Sequence, residues 1–188
     1  MNNKQVTVYC ASSPDAPKEF IDAAYELGLL AARRGWATVT GAGTLGLMGA
    51  VVGGTLDGGG RAIGVIPQFM VDRGWANPLM TTLEVVDSMA ERKQRLADLG
   101  CGAIALPGGI GTLDELMDLL TRCQLGLYKH PVVILNVNGF YDNLLAHLRH
   151  TDQCSMMRHL DLPGDLWRVA TTPAEALDII ASENALTD

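Results

Sequence analysis

One short stretch of the sequence combines the residue types that bind a phosphate with acids that could act on a sugar. LPGGIGTLDEL, at 106–116, places three glycines before a hydroxyl and two carboxylates. Glycine lets a ligand approach the main chain closely, and the free amides at the start of a helix bind anions. We therefore expect Gly108, Gly109, Gly111 and Thr112 to bind a monophosphate. No Lys-Ser/Thr pair follows, which argues against a nucleoside triphosphate loop.

The acids of this stretch leave two interpretations open. Thr112 and Glu115 have the spacing of a capping box, in which the glutamate reaches back to the first turn of a helix. Alternatively, the carboxylate of Glu115 faces a bound ligand. Asp114 is expected to be a solvated acid that interacts favourably with the helix dipole.

A second stretch, DSMAERKQRLADLG at 87–100, carries an arginine on an apolar helical face. Ser88 and Glu91 form another capping pattern, and the inward stripe consists of Met89, Leu96 and Leu99. Arg92 falls on that stripe, where an unpaired guanidinium is costly to bury. Its partner would be the substrate or Glu115; a purely structural ion pair, or a side chain that extends outward to solvent, is the alternative. Met89 and Lys93 are further candidates for the same pocket, although Lys93 is equally compatible with a solvated position.

Two more loops follow strand-like segments and are expected at the same pocket. The GAGTLG stretch at 41–46 satisfies GxGxxG, but the next strand-like segment ends without the acidic residue that would bind the ribose of a dinucleotide. We therefore interpret Gly43 and Thr44 as a second glycine wall of the monophosphate pocket. Ser12 and Ser13, just after the first strand-like segment, are predicted to face the pocket rather than to cap a helix.

These loops can meet only if the strand-like segments lie side by side and in parallel. Seven such segments alternate with helix-like intervals, at 5–11, 36–40, 61–66, 82–86, 103–106, 132–137 and 167–170. This alternation predicts an α/β fold with helices on both faces of a parallel sheet. Segments such as AIGVI and VVILNV are almost wholly apolar, as expected of strands buried on both faces.

The intervals between the strands show helical periodicity. The first helix is predicted from the apolar stripe of Phe20, Ala23, Ala24, Leu27 and Ala31, with its end before Gly35. The helix after PGGIGT is predicted to carry the stripe Leu113, Leu116, Met117, Leu120 and Leu127. The connection at 67–80 is longer than the others and is the best candidate for a mobile flap.

Composition narrows the classes of function. The 188 residues predict one domain, and a net charge of −7 argues against broad binding to nucleic acid or to an anionic membrane. Neither a signal-peptide core nor a run of membrane-spanning length is present, so we expect a cytoplasmic protein. Cys10, Cys101, Cys123 and Cys154 are predicted to be buried thiols, and the histidines near 147–159 are not expected to bind a metal.

The motifs PGGIGTLDE, MAERK, GLMG and QLG occur in an order that resembles the LOG family of cytokinin riboside 5′-monophosphate phosphoribohydrolases, from about Val6 to Tyr141. The resemblance implies a Rossmann-like three-layer fold and a homodimer. It implies hydrolysis of the N-glycosidic bond of a purine nucleoside 5′-monophosphate, without a metal or organic cofactor, by the catalytic pair Arg92 and Glu115. The chain departs from the family at Ala90, which replaces a histidine, and at Thr82, which replaces a glutamate. Three candidates for the base of the substrate therefore stay open: an isopentenyl-type cytokinin, plain adenine and another purine.

Two rival functions remain to be compared. Relatives of this family have been labelled lysine decarboxylases, which would need a Schiff-base lysine. Only Lys93 of the four lysines falls near the predicted site, and no cofactor motif accompanies it, so we reject that label. The stronger rival is a non-catalytic protein of the same fold that carries a nucleotide or a phosphorylated cofactor.

Overall fold

The computed structural model describes residues 4–157 and 165–185 and confirms the predicted α/β class. All seven predicted strands are present: β1 (Gln5–Tyr9), β2 (Ala37–Thr40), β3 (Ala62–Pro67), β4 (Thr82–Val86), β5 (Ala103–Ala105), β6 (Val132–Leu135) and β7 (Arg168–Ala170). The helices are α1 (Lys18–Arg33), α2 (Gly46–Asp57), α3 (Gln68–Asp72), α4 (Met89–Leu99), α5 (Ile110–Gln124), α6 (Asp142–Gln153) and α7 (Pro173–Ala185), with a 3₁₀ turn at Val137–Gly139.

The strands form one parallel sheet in the order β4-β3-β2-β1-β5-β6-β7. The chain begins in the middle of the sheet, adds strands outward to β4 and then continues on the other side of β1 with β5. The register pairs Thr7 of β1 with Val39 of β2 and Ala103 of β5. In open α/β sheets, a crevice forms where the strand order reverses, which here lies at the carboxyl ends of β1 and β5.

Helices cover both faces of the sheet and give three layers. Alternating strand residues divide the core into two clusters, because successive side chains of a strand point to opposite faces. Val8 and Ile104 pack with α1, α2 and α7, whereas Val65 and Ala105 pack with α4, α5 and α6. The buried β3 and β6 are apolar along their whole lengths, as their sequences predict. No helix among the described residues has the length and apolar character needed to cross a bilayer.

Two predictions about local burial were wrong. Leu127 does not continue the apolar stripe of α5, because the helix ends at Gln124 and a turn at Gly126 leaves Leu127 exposed. Cys154 follows the end of α6 and is exposed, whereas Cys10 and Cys123 are buried and all four thiols are free.

The connection at 67–80 contains α3 and is fixed at its far end. The buried Asn77 donates its backbone N–H to the carbonyl of Ala42 at 2.9 Å and its side-chain Nδ2 to the carbonyl of Gly43 at 3.2 Å. The Oδ1 atom of Asn77 accepts a hydrogen bond from the N–H of Leu79. These bonds hold the connection against the loop between β2 and α2.

Candidate active site

A cavity of about 880 Å³ lies at the carboxyl ends of the central strands. The loops after β1, β2, β3 and β5 contribute to its wall, together with the first turn of α4. Backbone hydrogen bonds connect the loop after β1 to two of its neighbours. The N–H of Ala11 donates to the carbonyl of Pro107 in the loop after β5, and the carbonyl of Ala11 accepts from the N–H of Met48 in the first turn of α2. The sheet topology thus brings distant sequence segments to one site.

Arg92 lies in the wall of this cavity with only 7% of its surface exposed. Its Nε donates to the carbonyl of Val65 at 3.1 Å, and its Nη2 donates to the carbonyl of Gly41 at 3.3 Å. Its Nη1 lies 3.1 Å from Oε1 of Glu115. Of the two partners that the sequence left open for Arg92, the structure shows Glu115. The carbonyls of Val65 in β3 and of Gly41, just after β2, fix the orientation of the guanidinium.

Gly41 is required by this arrangement. A Cβ atom at this position would lie 1.8 Å from Nη2 of Arg92. The first glycine of the GxGxxG stretch therefore makes room for a protein side chain.

Glu115 is buried in the same wall and does not cap its helix. Gly109 occupies the N-cap of α5, so Thr112 already lies inside the helix and the capping-box interpretation is wrong. Burial raises the pKa of Glu115 to about 7, although the charge of Arg92 opposes this rise. Glu115 therefore forms an ion pair with Arg92 of α4 instead of the capping contact that its spacing from Thr112 suggested.

The start of α4 fixes the position of Arg92 one turn later. Ser88 is the N-cap, and its Oγ accepts a hydrogen bond from the N–H of Glu91 at 3.1 Å. The carboxylate of Glu91 accepts in turn from the N–H of Asp87 at 2.9 Å. The predicted capping pattern is confirmed, and Met89 in the first turn lines the cavity.

The turn between β5 and α5 presents an open surface to the cavity. Gly109, Gly111 and Thr112 line it, and no atom lies within 4 Å of a Cβ built on either glycine. Gly108 is not part of the lining, because it packs against the side chain of Thr112. The free amides at the start of α5 are therefore accessible to an anion.

The loops after β1 and β2 contribute further lining residues. Gly43 and Thr44 line the cavity, as do Ser12 and Ser13. The N–H of Gly43 has the Sδ atom of Met48 as its acceptor at 2.8 Å. Because Pro17 is the N-cap of α1, neither serine caps that helix.

Lys93 is a predicted site residue whose side chain does not reach the cavity. Its Nζ lies 2.9 Å from Asp114 and 3.5 Å from Asp118, on the outer surface between α4 and α5. These contacts raise the pKa of Lys93, chiefly through the hydrogen bond to Asp114. Lys93 is not among the residues that line the cavity.

Sequence reasoning missed several lining residues from other elements. These residues are Cys10 just after β1, Met48 of α2, Ile66 of β3 and Met70 of α3. Burial raises the pKa of the Cys10 thiol, and the nearby charge of Glu115 adds to this rise. The sequence offered a signal only for Met70 and for Trp75, which also lines the cavity, because both belong to the unusually long connection at 67–80.

The histidines give no indication of a metal site within residues 4–157 and 165–185, where no group of three or more potential ligands is found. His150 contacts Cys154 at 3.7 Å on the exposed end of α6. His159 lies outside the described residues.

The cavity therefore combines three chemical features. Backbone amides and hydroxyl groups in its wall can bind an anion, a buried carboxylate can face a developing positive charge, and a fixed guanidinium holds that carboxylate. In glycoside hydrolysis an ionised carboxylate stabilises the developing positive charge, and a carboxyl group with a raised pKa transfers a proton to the leaving group.

Three comparisons relate the chain to known proteins. A family model described as possible lysine decarboxylase matches residues 48–180. The chain is 42% identical over 145 residues to the cytokinin riboside 5′-monophosphate phosphoribohydrolase LOG of Oryza sativa subsp. japonica, a match that covers 77% of this chain and 60% of the rice protein. A cytokinin riboside 5′-monophosphate phosphoribohydrolase of Mycobacterium marinum is 42% identical over 143 residues, which is 76% of either chain.

Among solved structures, the molybdenum cofactor carrier protein of Chlamydomonas reinhardtii superposes with a TM-score of 0.74, over 98% of this chain and 99% of its own. At 23% identity this likeness shows a shared fold. The family model and the relatives together show that the chain belongs to the LOG-type family of cytokinin riboside 5′-monophosphate phosphoribohydrolases, the family whose model is described as possible lysine decarboxylase.

Proposed function

We propose that the protein hydrolyses the N-glycosidic bond of a purine nucleoside 5′-monophosphate to the free base and ribose 5-phosphate. The observation that carries this proposal is the buried pair of Arg92 and Glu115, 3.1 Å apart, in a cavity beside an open glycine turn. The names of the rice and mycobacterial relatives support the same reaction. This chain matches about 60% of the length of the rice protein, so the activity is proposed for it from its own site.

The 5′-phosphate is expected at the start of α5. Gly109 and Gly111 leave room for it, and Thr112 adds a hydroxyl. Ser12 and Ser13 on the neighbouring loop provide further hydroxyl groups. Binding energy from this remote group helps to place the glycosidic bond against the catalytic side chains.

Bond cleavage develops positive charge on the ribose ring. The carboxylate of Glu115 stabilises this charge and orients a water molecule towards C1′. The water oxygen bonds to C1′, the bond from C1′ to the base breaks, and its electron pair leaves with the base. The proton released by the water reaches the departing base through Glu115. Arg92 holds the carboxylate in place through the contacts that anchor its own guanidinium.

The older decarboxylase label finds no support in this site. A Schiff base requires a free amine at the substrate, and the Nζ of Lys93 is engaged by Asp114 and Asp118 outside the cavity. None of the described lysines lines the cavity.

The homodimer and the cytoplasmic location stay predictions. Two exposed apolar side chains, Ile110 at the start of α5 and Leu127 in the turn after it, are compatible with association of two copies. Light scattering coupled to gel filtration would measure the oligomeric state.

Base release from AMP and from isopentenyladenosine monophosphate, followed by chromatography, tests the proposal. The wild type should release the base, and Glu115→Gln should lower kcat by about 10²- to 10³-fold while AMP still binds. Lys129→Gln, on an exposed loop, is the matched control and should retain full activity. If the wild type binds AMP but releases no base, the carrier function replaces the hydrolase.

A further inference from the structure

The cavity has an apolar end that the reaction chemistry does not use. Ile66 at the end of β3, Met70 of α3 and Trp75 form this end. Among the described residues that line the cavity, Trp75 is the only aromatic one. Half of its surface is exposed, so the indole offers a large flat face to a ligand in the cavity.

The indole of Trp75 is held in place from outside the cavity. The guanidinium of Arg73 lies 5.1 Å from the centroid of the Trp75 ring and 5.5 Å from that of Phe69. Cation–π contacts of this length stabilise the position of an aromatic ring. Arg73 is not part of the cavity wall, so its contact with the indole leaves the cavity side of Trp75 available.

The segment that carries Trp75 is also fixed to the loop after β2. Gly74 has a φ of +71°, which turns the chain between Arg73 and Trp75. Two residues later, Asn77 makes hydrogen bonds to the carbonyls of Ala42 and Gly43. The indole therefore stands at a defined position relative to the cavity.

The strand order sets the direction in which a nucleotide lies. The open glycine turn follows β5, the carbonyl of Gly41 that anchors Arg92 follows β2, and Trp75 follows β3. A nucleoside monophosphate has the same linear order of phosphate, ribose and base. With its phosphate at Gly109 and its C1′ atom at Glu115, its base extends to the apolar end.

We propose that Trp75 is the stacking wall for the purine base, backed by Arg73 as a positioning residue. This inference rests on the proposed hydrolase function and adds the residue that selects the base. Stacking on an indole depends on the area of the base rather than on its hydrogen-bonding groups. The site therefore favours purines over pyrimidines and tolerates different purines.

The test compares a substrate that has the base, AMP, with an inhibitor that lacks it, ribose 5-phosphate. Trp75→Ala should raise the KM for AMP about tenfold with kcat changed less than about threefold, because stacking on one base has about this value. The Ki of ribose 5-phosphate, which keeps the phosphate but has no base, should not change. Trp75→Phe should recover the KM to within about threefold, because it retains an aromatic face.

Two further variants refine the test. Arg73→Ala should raise the KM for AMP by about threefold and Arg73→Lys should restore it, since a lysine also interacts with the ring. The ratio of kcat/KM for AMP to kcat/KM for CMP should be smaller in Trp75→Ala than in the wild type. Trp167→Phe, in a residue outside this cavity, should leave both the KM and the Ki unchanged.

Two results would overturn the inference. An unchanged KM for AMP in Trp75→Ala would show that the base does not contact the indole. A parallel rise in the Ki of ribose 5-phosphate would show that Trp75 only supports the fold of the cavity. Absence of base release by the wild type would instead contradict the hydrolase function, and the affinity of the same variants for AMP would then test Trp75 alone.

Discussion

The two glycine turns beside the cavity have similar sequences and different physical reasons for their glycines. After β2, Gly41 lacks a side chain because the guanidinium of Arg92 occupies that space, 1.8 Å from a hypothetical Cβ. After β5, no protein atom lies within 4 Å of a Cβ built on Gly109 or Gly111, although both line the cavity. The first turn accommodates a side chain of the protein, and the second leaves space for a ligand.

This difference separates two kinds of functional glycine. A substitution at Gly41 acts on the position of the proposed catalytic pair, whereas a substitution at Gly111 acts on the room available to the proposed substrate. The two turns should therefore respond differently when each receives one methyl group. Activity and stability measured together distinguish the two cases.

The largest effect is expected for Gly41→Ala. Its methyl group would overlap Nη2 of Arg92, so the guanidinium would leave the carbonyls of Gly41 and Val65 and release Glu115. We expect kcat/KM for AMP to fall by about 100-fold, because a displacement of about 1 Å in a catalytic group has this effect. The melting temperature should fall as well. Activity within threefold of the wild type would show that Arg92 does not need this position.

An intermediate effect is expected for Gly111→Ala. The methyl group meets no protein atom but extends towards the proposed phosphate, so the KM for AMP should rise about tenfold. Alanine is more favourable than glycine in a helix by about 0.5–1 kcal/mol, so the free energy of unfolding should not decrease. Thermal unfolding and steady-state kinetics of one preparation provide both values. A loss of stability with unchanged KM would mean that this turn serves the fold and not a ligand.

The smallest effect on activity is expected for Gly53→Ala, the control for both turns. Gly53 lies inside α2, and no atom lies within 4 Å of its hypothetical Cβ. Alanine should raise the free energy of unfolding by about 0.5–1 kcal/mol and leave kcat/KM unchanged. Urea denaturation measures the first quantity. Destabilisation would indicate that α2 does not tolerate a methyl group at its surface.

Most of the fold could be predicted from the sequence, because the patterns that indicate its strands and helices involve residues close together in the chain. The apolar segments of β3 and β6 predict strands buried on both faces, and the stripe of α4 placed Arg92 on the inner side of its helix. The spacing of Ser88 and Glu91 predicted the start of α4 correctly. Each of these patterns depends on neighbouring residues only.

The errors arose where a distant contact competed with a local pattern. Thr112 and Glu115 have the spacing of a capping box, yet Gly109 begins α5 and Glu115 pairs with Arg92, more than 20 positions away in the chain. The same limit explains Lys93, whose acidic partners lie on α5. Cys10 and Met48 reach the cavity only through the order of the strands, which no single segment encodes.

The pH dependence of kcat/KM for AMP tests the role of Glu115 most directly. Burial raises the pKa of Glu115 to about 7. The pH dependence of kcat/KM reports the pKa values of the essential groups in the free enzyme. If the carboxylate is the active form, kcat/KM should rise about tenfold per unit of pH below 7 and level off above it. The nucleotide phosphate itself titrates near pH 6, so the Ki of ribose 5-phosphate over the same range supplies the correction for that group.

After this correction, we expect a rising limb with an apparent pKa near 7 to remain in the wild type and to be absent from the residual activity of Glu115→Gln. A corrected profile that is flat from pH 5 to 9, or that falls as the pH rises through 7, would contradict the role of Glu115 as the catalytic carboxylate.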